Sequence, residues 1–190
     1  LAAFPPLIST FNNRRQNRFG ASRNQGMLEN IWNKYGAFVQ QQIIWRKDRA
    51  VLTRSWYLWQ HEPCFFGWVK GKKPKRLADN YPPTVWEIPT IAPGTQTLHP
   101  TSKPIELFAI PMRQHTQAGD ICYEPFSGSG SQFVAGEQLG RIVYGVELNP
   151  AFVAVALQHL GDDFAAGQVA NQASLGGSTE STALGTAHLR

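Results

Sequence analysis

The sequence predicts an α/β chain whose second half is built from parallel strands with helices between them. Three observations carry that prediction. From Lys103 to Leu160 the hydrophobic periodicity alternates as helix, strand, helix, strand, helix. A glycine-rich turn, Glu124-Pro125-Phe126-Ser127-Gly128-Ser129-Gly130-Ser131, falls where the first of those strands gives way to a helix. An acid, Glu147, ends the second strand, 17 residues past Gly130.

The elements follow in order. Residues 1–28 lack hydrophobic periodicity and carry the basic stretch Asn12-Asn13-Arg14-Arg15-Gln16-Asn17-Arg18, which reads as a loop or disordered arm. Residues 38–47 end in a β-branched and aromatic run and read as a strand, and residues 63–69 as a second strand buried on both faces. Lys70, Lys72, Lys73, Lys75 and Arg76 then form an exposed basic loop. Residues 84–88 make a short strand between prolines. Residues 103–116 read as a helix, with Pro104 suited to its first turn and Pro111 expected to kink or break it. Residues 120–123 are a strand, 131–139 a helix stopped by Gly140, and 142–146 a strand. Asn149 and Pro150 start a last helix that buries Phe152, Val155, Ala156 and Leu160. From Gly161 the composition of Gly, Ala, Ser and Thr reads as a flexible tail, 161–190. The organisation expected is an unassigned arm or loop at 1–38, a domain at 39–160 divided at 98/99, and the tail.

Composition narrows the function. The chain of 190 residues is 42% hydrophobic, enough for one domain with a core. It has no apolar run of about 18 residues, which argues against a membrane span, and Leu1-Ala2-Ala3-Phe4-Pro5-Pro6 is not a convincing signal peptide. The first residue is not Met, so the chain reads as beginning inside a longer gene product. Cys64 and Cys122 are far apart, Cys122 in an apolar run that reads as buried, and the five histidines are scattered. That pattern fits a reducing cytoplasm and offers no metal-site spacing. Charge is unevenly spread. Residues 1–118 carry 16 Lys/Arg and 6 Asp/Glu, whereas residues 119–190 carry 2 and 7, and all 6 tryptophans lie in the basic part. One face for a polyanion explains this polarity, and so does an uneven surface on an ordinary protein.

In an open α/β sheet, ligands bind where strands end and helices begin, and glycines there let backbone approach a ligand. An acid at the end of the next strand can accept hydrogen bonds from both ribose hydroxyls, which is the place of Glu147. The turn is a poor dinucleotide fingerprint, because Phe133 stands where a third small residue belongs. A nucleoside without phosphates is the better expectation.

Three further features extend the pattern: His99-Pro100-Thr101-Ser102-Lys103-Pro104 before the glycine strand, Glu147-Leu148-Asn149-Pro150 after it, and Trp45, Lys47 and His61-Glu62 upstream. In that order they resemble the DNA methyltransferases that modify exocyclic amino groups of adenine-N6 or cytosine-N4, in the permuted group whose cofactor region comes last. The resemblance covers about residues 40–160, and the surrounding sequence resembles phage- or prophage-borne members. It implies a Rossmann-like methyltransferase fold that is only partly present here, S-adenosylmethionine as cofactor with no metal, and double-stranded DNA with a flipped base as substrate. By position it assigns Phe126, Ser127, Gly128, Ser129 and Gly130 to the methionine part, Glu124 to its amino group, Glu147 to the ribose, and His99, Thr101 and Lys103 to the opposite wall. Lys70, Lys72, Lys73, Lys75 and Arg76 would meet DNA phosphates. Asn149 reads as a helix cap, His115 and His159 as surface residues, and His61-Glu62 as either a strand-edge pair or part of the site.

The family's catalytic strand, an acid or Asn followed by two prolines and an aromatic, has no counterpart. Phe4-Pro5-Pro6-Leu7 lacks both polar and aromatic members, and Asn80-Tyr81-Pro82-Pro83 carries an extra Tyr81. The catalytic residues are therefore unassigned, and the chain reads as N-terminally incomplete or a decayed copy. The rivals are a catalytically inactive fragment that retains cofactor or DNA binding, and a nucleotide-binding oxidoreductase, which the missing GxGxxG disfavours.

Overall fold

Two sheets organise the residues that the computed structural model describes, which are 7–10, 24–52, 54, 56–91 and 102–175. The first has four strands in the order β1 (Leu7–Thr10), β3 (Trp59–Val69), β2 (Ala37–Val51), β4 (Val85–Glu87). β2 and β3 are the arms of a long antiparallel hairpin, with Trp45 opposite Glu62 and Arg46 opposite His61. β4 lies parallel to β2, Trp86 opposite Trp45. The second sheet pairs β5 (Ile121–Glu124) with β6 (Ile142–Gly145) in parallel, Tyr123 opposite Tyr144. Helices α2 (Glu106–His115), α3 (Ser131–Leu139) and α4 (Pro150–Leu175) alternate with β5 and β6 as the periodicity predicts. α1 (Gln25–Lys34) lies before β2.

Side-chain packing joins these layers. Trp32 of α1 packs with Ala37 and Phe65. Trp45, Trp86 and Leu107 bring β2, β4 and α2 together, and the indole N–H groups of Trp45 and Trp86 donate to the carbonyls of Ile88 (2.7 Å) and Pro83 (2.8 Å). Ala109 and Met112 of α2 meet Ala135 of α3 over Cys122 and Val143. The opposite face of β5 and β6, with Ile121, Tyr123, Ile142 and Tyr144, is exposed, so among the described residues this sheet is covered on one side only.

Several expectations from the sequence need correction. Leu7–Thr10, placed in the arm, is an edge strand in register with 64–67 of β3. Residues 25–34, also in the unassigned region, are helical. β3 begins at Trp59, four residues earlier than expected, and so includes His61 and Glu62. α2 passes through Pro111 without a break. Proline costs about 3 kcal/mol in a helix interior, and burial of Leu107, Ala109 and Met112 on either side opposes that cost. α4 runs on from Gly161 to Leu175, where composition predicts a tail. Its alanines are the strongest helix formers, and each glycine costs only about 1 kcal/mol. Cys64 is buried, which pushes its thiol up to about 12, whereas Cys122 is only half-buried. Among the described residues no helix is long and apolar enough to cross a membrane.

One polar cluster fixes the hairpin against the segment leading into α2. Successive residues of a strand point to opposite faces, so His61 is exposed while Glu62 turns inward. One oxygen of Glu62 meets the Lys47 ammonium at 2.6 Å and the other meets Lys103. Both ammonium groups also lie 5.1 Å from the centroid of the Trp45 ring. Burial alone would raise the Glu62 pKa, but the two lysines outweigh it and hold the carboxyl below its usual range. The stability that Glu62 contributes is therefore present above the ordinary glutamate pKa and lost as pH falls through the lowered value. Glu62→Gln should lower the unfolding free energy by about 1–3 kcal/mol at neutral pH, the scale of hydrogen bonds to charged groups. Urea denaturation should show that gap closing in acid, and equal stability at neutral pH would contradict the role of the cluster.

Candidate functional site

The glycine turn is a loop pinned to the neighbouring strand. The Ser127 N–H and hydroxyl both point to the carbonyl of Val146, at 2.9 and 3.2 Å, and the Val146 N–H donates to the Glu124 carbonyl at 2.9 Å. Inside the loop the Gly130 N–H donates to Ser127 O, and buried Gln132 donates its amide to the same oxygen at 2.7 Å. Gly130 has φ +81°, and a Cβ there would stand 2.7 Å from that of Ala156, so α4 closes over the turn only because this residue is glycine. The Phe133 ring occupies the space where a Cβ on Gly145 would fall, 2.3 Å from its Cζ. The large residue in the third small position is thus matched by a missing side chain on β6.

Glu147 crosses the mouth of this loop. Its Oε2 accepts from the Gly128 N–H at 2.9 Å and its Oε1 from the Asn149 N–H at 3.0 Å. These two bonds orient the group, and a carboxylate has about four lone-pair sites, enough to accept from a ligand as well. Asn149 caps α4 as its position suggests, its Oδ1 accepting from the Ala151 N–H at 3.0 Å. At the end of β5, Glu124 accepts from the Phe126 N–H at 2.9 Å. Burial raises the Glu124 pKa and this hydrogen bond offsets part of the rise. Ser127, Gly128, Ser129 and Gly130 are buried, and the Phe126 side chain is exposed. The structure therefore brings Glu124, residues 126–130 and Glu147 together.

Lys103 is beside this group but does not turn its ammonium into it. Its carbonyl accepts from the Ser131 hydroxyl at 2.7 Å, at the first residue of α3, while its side chain goes to Glu62. His99 and Thr101 lie outside the described residues. Three contributors carry no signal in the sequence: Ser131, Gln132, and His159, whose Nδ1 lies 3.1 Å from Ser129 O. His159 is thus not the surface residue expected, and a serine or glutamine opening a helix is too common to stand out. His115 is also half-buried, stacked on Phe66 at 5.0 Å, and burial lowers its pKa.

The basic loop is exposed but distant. Leu77 N–H donates to Gln114 O, and His115 Nδ1 lies 3.4 Å from Lys75 O, which places the loop at the C-terminal end of α2. Lys103 and the glycine turn are at its N-terminal end, about 15 Å away for a helix of 10 residues. Asn80 sits at the same far end, accepting from Gln114 at 2.5 Å, with Arg76 packed 3.6 Å over the Tyr81 ring. Asn80 is thus held at the end of α2 away from the glycine turn.

Comparison with known proteins identifies the family and the fold. Residues 10–158 match the family model of the N6/N4 type described as DNA methylase. The chain is 31% identical over 122 residues to the type II methyltransferase M2.MboI of Moraxella bovis, covering 63% of this chain and 40% of that protein. It is 29% identical over 141 residues to M.Cfr9I of Citrobacter freundii, covering 67% and 46%. It thus spans less than half the length of these relatives. Among solved structures, the PvuII DNA methyltransferase, cytosine-N4-specific, aligns with a TM-score of 0.65 at 17% identity over 84% of this chain and 68% of that one. The M1.HpyAVI–SAM complex aligns with a TM-score of 0.63 at 22% identity over 74% and 70%. At these identities the structures establish the Rossmann-like methyltransferase fold, present here with a partial sheet. The family match runs through both sheets, and the chain belongs to the DNA methylase family of N6 and N4 amino-methyltransferases.

Proposed function

We propose that this chain carries the S-adenosylmethionine pocket of an enzyme that methylates the exocyclic amino group of adenine or cytosine in double-stranded DNA. The observation that supports it most is the Glu147 carboxylate held across the glycine turn by Gly128 and Asn149, with the Glu124 carboxylate at the end of the adjoining strand. Two acids at one strand-end edge suit a ligand with a cationic end and hydroxyls, and oppose one with phosphates. The residues fit the cofactor: Glu147 would accept from the ribose hydroxyls, Glu124 would meet the ammonium, and the backbone of 126–130 would enclose the methionine chain. The cofactor supplies an electrophilic methyl on sulfur. The protein's part is to hold that group and a flipped base in line. This reading places the protein in the cytoplasm, with the DNA it would act on. The type II relatives support a restriction-modification setting, whether chromosomal or phage-borne.

No acid–Pro–Pro–aromatic sequence occurs in residues 1–190, and Asn80 is held at the wrong end of α2. Amino nitrogens of bases are weak nucleophiles, and loss of positioning by about 1 Å can cost about 100-fold.

Three measurements test these proposals. Calorimetry with S-adenosylmethionine should give a Kd about 10- to 100-fold higher for Glu147→Ala than for the wild type. Equal affinity would remove Glu147 from the pocket. Because ammonium binding needs an ionised Glu124, wild-type affinity should fall as pH drops through the raised pKa of that group. Glu124→Gln should lack this fall, and parallel pH profiles would contradict the assignment. Residues 1–190 alone should transfer no labelled methyl group to mixed-sequence DNA, and should gain activity when a family segment with the acid–Pro–Pro–aromatic strand is added. Transfer by the chain alone would show that its own residues replace that strand.

A further inference from the structure

The tip of the β2–β3 hairpin, between Val51 and Trp59, gathers exposed apolar and aromatic side chains. Leu52 is 90% exposed, Trp56 100% and Tyr57 88%, with Val51 and Leu58 beside them. Large apolar side chains gathered on one projection mark a contact surface, and Trp, Tyr and Arg are the residues that dominate such contacts. The tip also carries the cation Arg54, whereas Arg46, Lys47 and Arg49 in the stem pair with Glu87, Glu62 and Asp48.

Its position is set by the Glu62 cluster. Glu62 touches Lys103, whose carbonyl touches the start of α3 directly after the glycine turn. From Glu62, β3 extends three residues, about 10 Å, back to Trp59 and the tip. In the other direction it extends seven residues, about 23 Å, to Val69 and the lysine loop. The hairpin is braced on its other side. The Thr90 N–H donates to Asp48 at 2.8 Å, Arg49 Nε donates to Thr90 at 3.0 Å, and Arg46 pairs with Glu87 at 2.5 Å. The stem of the hairpin is therefore tied down on both sides, and its aromatic tip lies toward the end of β3 nearer the pocket, with the lysine loop at the opposite end.

We propose that this hairpin tip is the chain's contact with duplex DNA beside the target base, Trp56 and Tyr57 stacking on or wedging between bases and Arg54 meeting a phosphate. Positive charge with exposed aromatic rings is the chemistry of a nucleic-acid surface. A lipid surface would also take the aromatics, and a second copy would bury them without using the charge. The proposal rests on the methyltransferase reading, so its test has a separate cofactor arm.

The experiment is fluorescence anisotropy of a labelled duplex of about 30 base pairs, several helical turns, with the 190-residue chain over a range of salt, alongside calorimetry with S-adenosylmethionine. The double variant Trp56→Ala/Tyr57→Ala, altered only at exposed positions, should bind DNA about tenfold or more weakly with an unchanged slope of log affinity against log salt. Arg54→Gln should reduce that slope by about 0.9. Cofactor affinity should stay the same in both. Wild-type failure to bind the duplex, or equal binding by the double variant, overturns the surface. So does a variant that loses self-association or vesicle binding but keeps its DNA affinity. In each of those cases intact cofactor binding leaves the pocket standing, whereas its absence from the wild type counts against the pocket.

Discussion

Lys103 is held at both ends. Its ammonium is paired with Glu62 in the hairpin, and its carbonyl takes the hydroxyl of Ser131 at the first residue of α3. Through that residue the four-stranded sheet, the segment entering α2 and the glycine turn share one frame. The charge arrangement is asymmetric: two ammonium groups share one carboxylate against a lining of Ile43, Trp45, Cys64, Trp86, Leu107 and Phe108. The Trp45 ring faces both cations and takes part of the charge that Glu62 leaves unbalanced. A buried carboxylate with one partner would be costly, and the second lysine shifts that balance.

The glycine turn depends on this frame for its position and on Glu147 for its shape. Its Gly128 amide is fixed by that carboxylate, and its Ser127 and Gly130 amides by backbone carbonyls, rather than left to reorganise around a ligand, which lowers the ordering cost of binding. Packing enforces the same geometry from outside. Ala156 approaches Gly130, and Phe133 fills the space over Gly145, so a larger residue at either glycine meets atoms that cannot move far. The site is therefore rigid where it would hold the cofactor, and its two acids set the sign of what it accepts.

Residues 120–160 are legible almost to the residue because strand, turn and cap signals agree there: α3 occupies 131–139 and Gly140 stops it with φ +68°. Elsewhere one signal outweighs another. Pro111 looks like a breaker because the burial of its neighbours cannot be weighed from sequence. The later half of α4 looks like a tail because small residues suggest flexibility, although alanine favours helix. β1 has only 4 residues and takes its structure from pairing with β3, Ile8 opposite Phe66 and Thr10 opposite Cys64, partners too far along the chain to leave a local signal. The candidate site is legible as a set of residues but not as a set of directions. Glu124, the turn and Glu147 follow from spacing, since strand ends and turns fix where backbone goes. That Lys103 turns to Glu62, that His159 reaches Ser129, and that the lysine loop lies at the far end of α2 follow from how elements pack. Spacing along the chain does not carry that information.

If residues 124–130 and 147–149 form one pocket for the cofactor, backbone amide NMR of the chain, titrated with the demethylated cofactor product, tests it most directly. The largest shifts should fall on Phe126, Gly128, Gly130 and Asn149, with the lysine loop at 70–76 unmoved. Saturable shifts centred elsewhere, with the glycine turn silent, would contradict the pocket.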